Sequence, residues 1–303
     1  MNKFLPEGFA AGQTPITLAT LNDALEKGKI LEAKAIMCDS EHNLIVDLGG
    51  NIKGIIPRDE GALGIAEGQV RDIALISRVN KPVCFTVTDI VCEDGRVTAT
   101  LSRREAQQIC INDYLSTLTA GDIIRARVTH LESFGAFCDV GCGIVALMPI
   151  DAISVSRISH PADRFATGDD IFAVVRSVDE RGRISLSHRE LLGTWQENAD
   201  RFKQGQTVSG IIRTVEDYGV FVELTPNLAG LAELREGVYP GQQASVYIKS
   251  IIPEKMKIKL IIIDSFEADY DQPPLEYCFQ SNHIDNWQYS PLCSHKQIAT
   301  AFE

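Results

Sequence analysis

The sequence predicts a mainly β chain: three tandem five-stranded barrels joined by α-helical linkers, with an aromatic C-terminal tail. Three observations predict it. One pattern recurs three times along the 303 residues, and self-similarity of this kind marks a chain built from copies of one unit. Each copy holds five short stretches with the two-residue alternation of a strand, bounded by glycines and turns. Five such strands bury no core as an open sheet, so closure into a small antiparallel barrel is expected.

Each copy opens with a glycine and a first strand: Gly28-Lys29-Ile30-Leu31, Gly121-Asp122-Ile123-Ile124 and Gly205-Gln206-Thr207-Val208. Second strands are read at 44–50, 136–143 and 220–226, and short apolar third strands after a glycine at 54–57, 143–149 and 230–234. Long fourth strands follow at 83–91, 170–179 and 243–252, and last strands at 95–102, 182–187 and 256–263. The organisation is then an N-terminal segment (1–25), a divergent first barrel (26–102), a linker helix (103–119), a second barrel (120–187), a linker helix (188–203), a third barrel (204–264) and an acidic, aromatic tail (265–303).

The helices have their own signals. Leu18 to Lys27 places Leu21 and Leu25 four apart and ends at Gly28, a natural stop. Arg103 to Leu118 follows Ser102 as N-cap, with Glu105 in the first turn. Ser187 to Phe202 carries Leu191, Leu192, Trp195, Ala199 and Phe202 at helical intervals, which makes Trp195 a packing anchor. Residues 1–20 read as mostly irregular. In the tail, 265–274 with Pro273-Pro274 reads as a linker, whereas the aromatics of 275–302 should pack on a barrel, since disordered tails are poor in them.

Composition narrows the function classes. The chain is 45% apolar and 23% charged, ordinary for a soluble globular protein. No apolar run approaches a membrane span, and the N-terminal stretch does not read as a secretory signal. The eight cysteines show no paired spacing and read as reduced cytosolic thiols, so the expected location is the cytoplasm. The net charge of −12 argues against a polyanionic partner. Half of that excess, however, lies in residues 264–303, and residues 121–190 carry eight arginines and no lysine. Neither a nucleophile elbow, a zincin helix nor a phosphate loop appears; the glycines at 61, 64 and 68 lack the Gly-Lys-Ser/Thr ending. Cys278, His283, Cys293 and His295 match no standard finger spacing, so neither metal nor cofactor is expected.

The stretch 129–141 points to a positive function. Phe134 and Phe137 flank Gly135 and Ala136, and Tyr218-Gly219-Val220-Phe221 repeats the arrangement. A regular strand turns residues three apart to opposite faces. A bulge at the glycine would reset the alternation and bring both rings to one face. Paired exposed rings with arginines nearby suit unpaired bases, with Arg125, Arg127, Arg176 and Arg183 as phosphate contacts. His160, with Arg157 and Arg164, forms a polar cluster that reads equally well as an RNA contact or as an ordinary surface loop. Cys138 and Cys142 read as packing residues.

The second copy, from its glycine and first strand through Phe-Gly-Ala-Phe, Gly-Ile-Val, Val178-Asp179 and Arg183-Ile184-Ser185-Leu186-Ser187, resembles the S-one RNA-binding domain, an oligonucleotide-binding-type barrel. Over about 200 residues in three copies the chain resembles the bacterial ribosomal protein S-one family. That family's RNA face comprises two aromatics, a histidine, an aspartate and an arginine. The resemblance assigns Phe134, Phe137, Asp179 and Arg183 to it in copy two, with Ala146 at the histidine position. In copy three it assigns Tyr218, Phe221 and Lys257, with Glu233 at the histidine position. Copy one has His42 and Ile45 where the aromatics belong and keeps only Arg96. The resemblance implies a non-enzymatic protein that binds single-stranded RNA (mRNA) in translation, with no preference for DNA and no membrane partner, and with the first barrel docked on the small ribosomal subunit. The alternative is a protein-interaction adaptor with weak or no RNA binding, which the acidity and the missing histidine favour.

Overall fold

A computed structural model describes residues 4–9, 16–50, 52–93, 95–267 and 275–302. The chain is mainly β, and its long strands close into three five-stranded barrels. In the first, β1 (Leu31–Cys38), β2 (Leu44–Asp47), β3 (Ile52–Ile56), β4 (Pro82–Glu93) and β5 (Arg96–Ser102) join in the order β1-β2-β3-β5-β4. The second comprises β6 (Ile123–Glu132), β7 (Gly135–Gly141), β8 (Ile144–Pro149), β9 (Asp170–Val178) and β10 (Ile184–Ser187), in the order β10-β8-β7-β6-β9. In the third, β11 (Thr207–Glu216), β12 (Gly219–Thr225), β13 (Leu228–Ala232), β14 (Gln243–Ile252) and β15 (Lys257–Phe266) repeat the order of the first. In every barrel the third strand runs parallel to the fifth, which closes the sheet; all other recorded pairings within the barrels are antiparallel.

Among the described residues four α-helices accompany the strands: α1 (Leu18–Lys27), α2 (Ile73–Ile76), α3 (Arg103–Asp113) and α4 (Trp195–Ala199). Thr17 caps α1 and Gly28 ends it in the left-handed region, where only glycine is free of a Cβ penalty. Ser102 caps α3 by accepting from the Glu105 amide. The helix expected over 188–203 is shorter. Residues Arg189–Leu192 form a 3₁₀ turn, Gly193 takes φ +82°, and α4 restarts with Thr194 as its cap. The apolar spacing read as one helix serves two separate turns.

The chain divides into two compact units. The first comprises Met1–Leu118 with Arg125–Arg127 and Asp139–Val145. Its core gathers Leu21 of α1 with Leu44, Ile56, Phe85 and Leu101 of the first barrel. Residues 4–9 form no helix or strand, yet they are structural. Glu7 is buried and accepts from Arg103 at 2.7 and 3.0 Å, from Arg78 at 3.2 Å and from the Cys84 amide at 3.1 Å. Its own amide donates to Asp139 at 2.8 Å. Burial opposes the Glu7 charge, and the two arginines hold its carboxyl below its ordinary value. Burial and the neighbouring Glu7 push Asp139 the other way, up to about 7.

The second unit comprises Thr119–Ile124, Val128–Cys138 and Ala146–Glu303. Trp195, 1% exposed, packs into the third barrel's core with Ile212, Val222, Val246 and Leu260. Two short strands of the tail, β16 (Asn286–Gln288) and β17 (Ala299–Ala301), pair with each other and bring Trp287 and Tyr289 to the same core. Tyr277 and Phe279 pack edge-on against Phe172. The expected linker 265–274 begins inside β15, which runs to Phe266, and residues 268–274 lie outside those described. Among the described residues no helix is long and apolar enough to cross a membrane.

Candidate nucleic-acid interface

The two aromatic pairs occupy equivalent places. Phe134 lies in the turn between β6 and β7, and Phe137 is in β7. Their centroids are 5.9 Å apart with planes at 89°. Tyr218, in the turn between β11 and β12, stands 6.0 Å from Phe221 with planes at 88°. Phe134 is 54% exposed and Tyr218 69%. Each pair therefore presents exposed ring surface at a hairpin tip, where desolvation by a stacked base would be favourable.

In the third barrel no bulge falls at the glycine, and the first ring stands in the turn, ahead of the strand that carries the second. In the third barrel the register shifts in the preceding strand, between Ile212 and Thr214, and the pairing from Gly219 to Val222 is regular. The glycines serve a different need. A Cβ on Gly135 would stand 2.4 Å from the Met148 carbonyl oxygen, and one on Gly219 would stand 2.5 Å from that of Ala232. The backbone of the third strand passes too close for any side chain.

Other sequence-derived residues are placed as follows. His130 stacks on Phe137 at 6.2 Å and 27°, and its Nε2 meets Glu132 at 2.7 Å. Sequence reasoning missed it. Ile124, Ala126 and Val128 are buried, so strict alternation would turn His130 inward, but β6 has run beyond the core by that point and the ring is exposed. Asp179 organises the turn between β9 and β10: its Oδ1 accepts from the Arg181 and Arg183 amides and its Oδ2 from Arg183 Nε at 2.7 Å. These bonds hold its carboxyl below the usual range. Arg183 thus stays exposed but oriented. Arg176 lies 4.0 Å from Asp151.

Arg125 and Arg127 lie over the Phe9 ring at 5.8 and 5.0 Å, and Arg127 also donates to the Glu7 carbonyl. They serve the N-terminal segment. His160 is the N-cap of a 3₁₀ turn, its Nδ1 accepting from the Ala162 amide. Arg164, read alongside it as a loop residue, is buried, and its guanidinium donates bidentately to Glu223 at 2.9 Å twice. Arg213 joins from the other side at 3.0 and 3.1 Å. Burial works against the Glu223 charge, and the two arginines hold its carboxyl low.

In the third barrel, Tyr218, Phe221 and Lys257 line one groove. In the first, the only aromatic of the barrel segment, Phe85, is fully buried, and Ile45 is buried as well. That barrel offers no phenylalanine, tyrosine or tryptophan ring to a base.

Residues 117–189, which contain the whole second barrel, match the family model described as S1 RNA binding domain. The chain is 30% identical over 270 residues to small ribosomal subunit protein bS1 of Leuconostoc lactis, covering 84% of this chain and 60% of that protein. It is 29% identical over 260 residues to the protein of the same name from Staphylococcus haemolyticus, covering 80% and 63%. The chain thus spans about three fifths of the length of these relatives. Among solved structures, a chain of the a/eIF2alpha-aDim2p-rRNA complex from Pyrococcus horikoshii is 28% identical over 28% of this chain and 51% of that one, with a TM-score of 0.24.

Proposed function

We propose, from the match of its central residues 117–189 to the S1 RNA binding domain and its similarity to bacterial small ribosomal subunit protein bS1, that the chain is a non-catalytic protein that binds single-stranded RNA, in particular mRNA, in translation in the cytoplasm. The observation that carries this reading is the repeated aromatic pair, one ring exposed and one half-buried at equivalent hairpins, with nearly the same geometry, 5.9 Å and 89° against 6.0 Å and 88°. Stacking on a ring is worth about 1–3 kcal/mol per base and tolerates any base. Arg183 and Lys257 supply positive charge for the backbone, and His130 enlarges the platform beside Phe137.

The test is fluorescence anisotropy with a labelled single-stranded RNA of about a dozen nucleotides, a length such barrels span. Phe134→Ala with Phe137→Ala should weaken binding by about tenfold or more. Circular dichroism should show the barrel intact. Unchanged affinity in a folded variant would remove the reading.

A second reading applies to the first barrel. It lacks exposed rings but exposes Ile36, Met37 and Val91, and apolar surface of this kind suits a protein contact. In this role the first barrel docks on a partner such as the small ribosomal subunit, through one of its proteins, while the other barrels hold RNA. Partner capture that survives nuclease treatment and is lost on Ile36→Asp with Met37→Asp supports it.

A further inference from the structure

The third barrel carries a groove of about 570 Å³ beside Tyr218 and Phe221, within the range of about 300–1,000 Å³ typical of ligand sites. Its rims are cationic. Lys255 and Lys257 come from the β14–β15 turn and the start of β15, Lys296 from the tail, and Arg157 from the loop between β8 and β9. Among the described residues no carboxylate lines it, and Glu216 lines only the smaller adjoining pocket that shares Arg157, Tyr218 and Phe221. All four cations are exposed, and among the described residues none of them forms an ion pair. In a chain with 41 acids against 29 lysines and arginines, a cluster of uncompensated cations is unusual. Mutual repulsion makes it costly until an anion binds.

The rims are also fixed. The His295 amide donates to the Glu254 carbonyl at 3.1 Å, which ties the tail beside Lys296 to the turn that carries Lys255. Ser294 Oγ accepts from the Lys296 amide and donates to its carbonyl. The tail is held further by the Tyr289 hydroxyl, which donates to the Asn227 carbonyl. On the opposite side, the loop with Arg157 is anchored by the Val155 amide on Asn227 Oδ1 at 2.9 Å and by the Arg164–Glu223 pair. With the backbone held, only side-chain freedom remains to be lost when these cations meet a ligand.

We propose that the tail and the second barrel's loop are parts of a composite RNA site on the third barrel, with Lys296, Lys255 and Arg157 as backbone-phosphate contacts and Tyr218 and Phe221 as base platforms. This rests on the single-stranded RNA reading above and names residues that the family's pattern does not supply. The occupant is RNA and not an acidic peptide, because the cations share the groove with the exposed Tyr218 ring and the half-buried Phe221 ring set edge to face, which offer a planar base a surface that a carboxylate side chain cannot use.

The experiment uses the full chain and the same labelled RNA, with affinity measured over a range of salt. For single strands, log K falls with log salt by about 0.7 per phosphate neutralised. Lys296→Ala and Arg157→Ala should each flatten the slope by about that amount and weaken binding at low salt, and the double variant should lose both increments. Lys203→Ala, outside the groove, should leave the slope unchanged. Native binding with an unchanged slope in both groove variants would overturn the composite site while leaving RNA binding itself standing. No binding by the native chain at low salt would overturn both. If polyglutamate displaces the RNA as well as oligouridylate does and Tyr218→Ala has no effect, the groove is an acidic-protein site and the proposal fails.

Discussion

Gly219 carries no side chain for a steric reason: its φ is +152° and a Cβ would stand 2.5 Å from the Ala232 carbonyl oxygen. Gly219→Ala must therefore push β12 from β13, and overpacking of this kind costs about 1–3 kcal/mol. Urea melts of the variant should show that loss, and an unchanged midpoint would contradict the geometry. The same residue explains what was legible at this scale. An aromatic-glycine-apolar-phenylalanine pattern met twice identified Phe134, Phe137, Tyr218 and Phe221 as surface rings, because the glycine signals close backbone approach whatever its cause. His130 and Arg164 were not legible. The exposure of one depends on where its strand leaves the core, and the burial of the other on Glu223, 59 positions away in the sequence.

Among the elements, the strands were legible because burial on one face imposes a two-residue period that three copies repeat. The second linker helix was misread because the spacing of Leu191, Leu192, Trp195 and Ala199 records which side chains are buried and not whether the backbone between them is continuous. Gly193 interrupts it. The short α4 that remains depends on its cap. Thr194 Oγ1 accepts from the Glu197 amide, and the Glu197 carboxylate accepts from the Thr194 amide at 2.7 Å. Thr194→Ala should cost about 1 kcal/mol, read as a lower denaturation midpoint of the unit that holds Trp195. The tail hairpin gave no strand signal, since its two strands are three residues each and their pairing depends on Trp287 and Tyr289 finding the barrel.

Over the whole molecule, charge was the least legible property. The cations of the groove come from three separate stretches around 157, 255 and 296, so no segment of the sequence looks basic. Stability against acid is also a property of the whole. Burial drives the pKa of His188 down to about 3, with the Ile153 carbonyl acting against this and Arg164 adding to it. Its ring is enclosed by Phe165 and by Tyr277, whose hydroxyl lies 3.4 Å from Nε2. The unfolded chain takes up this proton near pH 6.5 and the folded chain near 3. Stability should then fall as pH drops through that window, by up to about 1.4 kcal/mol per unit. Asp139, raised to about 7, acts with the opposite sign over the same range. The informative quantity is therefore the difference between the native chain and His188→Gln. Denaturant melts from pH 7 to 4.5 should show the native chain losing stability relative to the variant, and parallel curves would refute the assignment.

The seam that closes each barrel has a consequence for how the protein is made. Third and fifth strands lie side by side, but the fourth strand and its long connection come between them in the chain. On the ribosome, where synthesis is slow beside folding and domains emerge from the N-terminus onward, no barrel can shut until its last strand is out. Folding during synthesis therefore advances in instalments, one closure per copy. The last instalment is the longest, because the third barrel's core also awaits Trp287 and Tyr289, more than twenty residues past the end of β15.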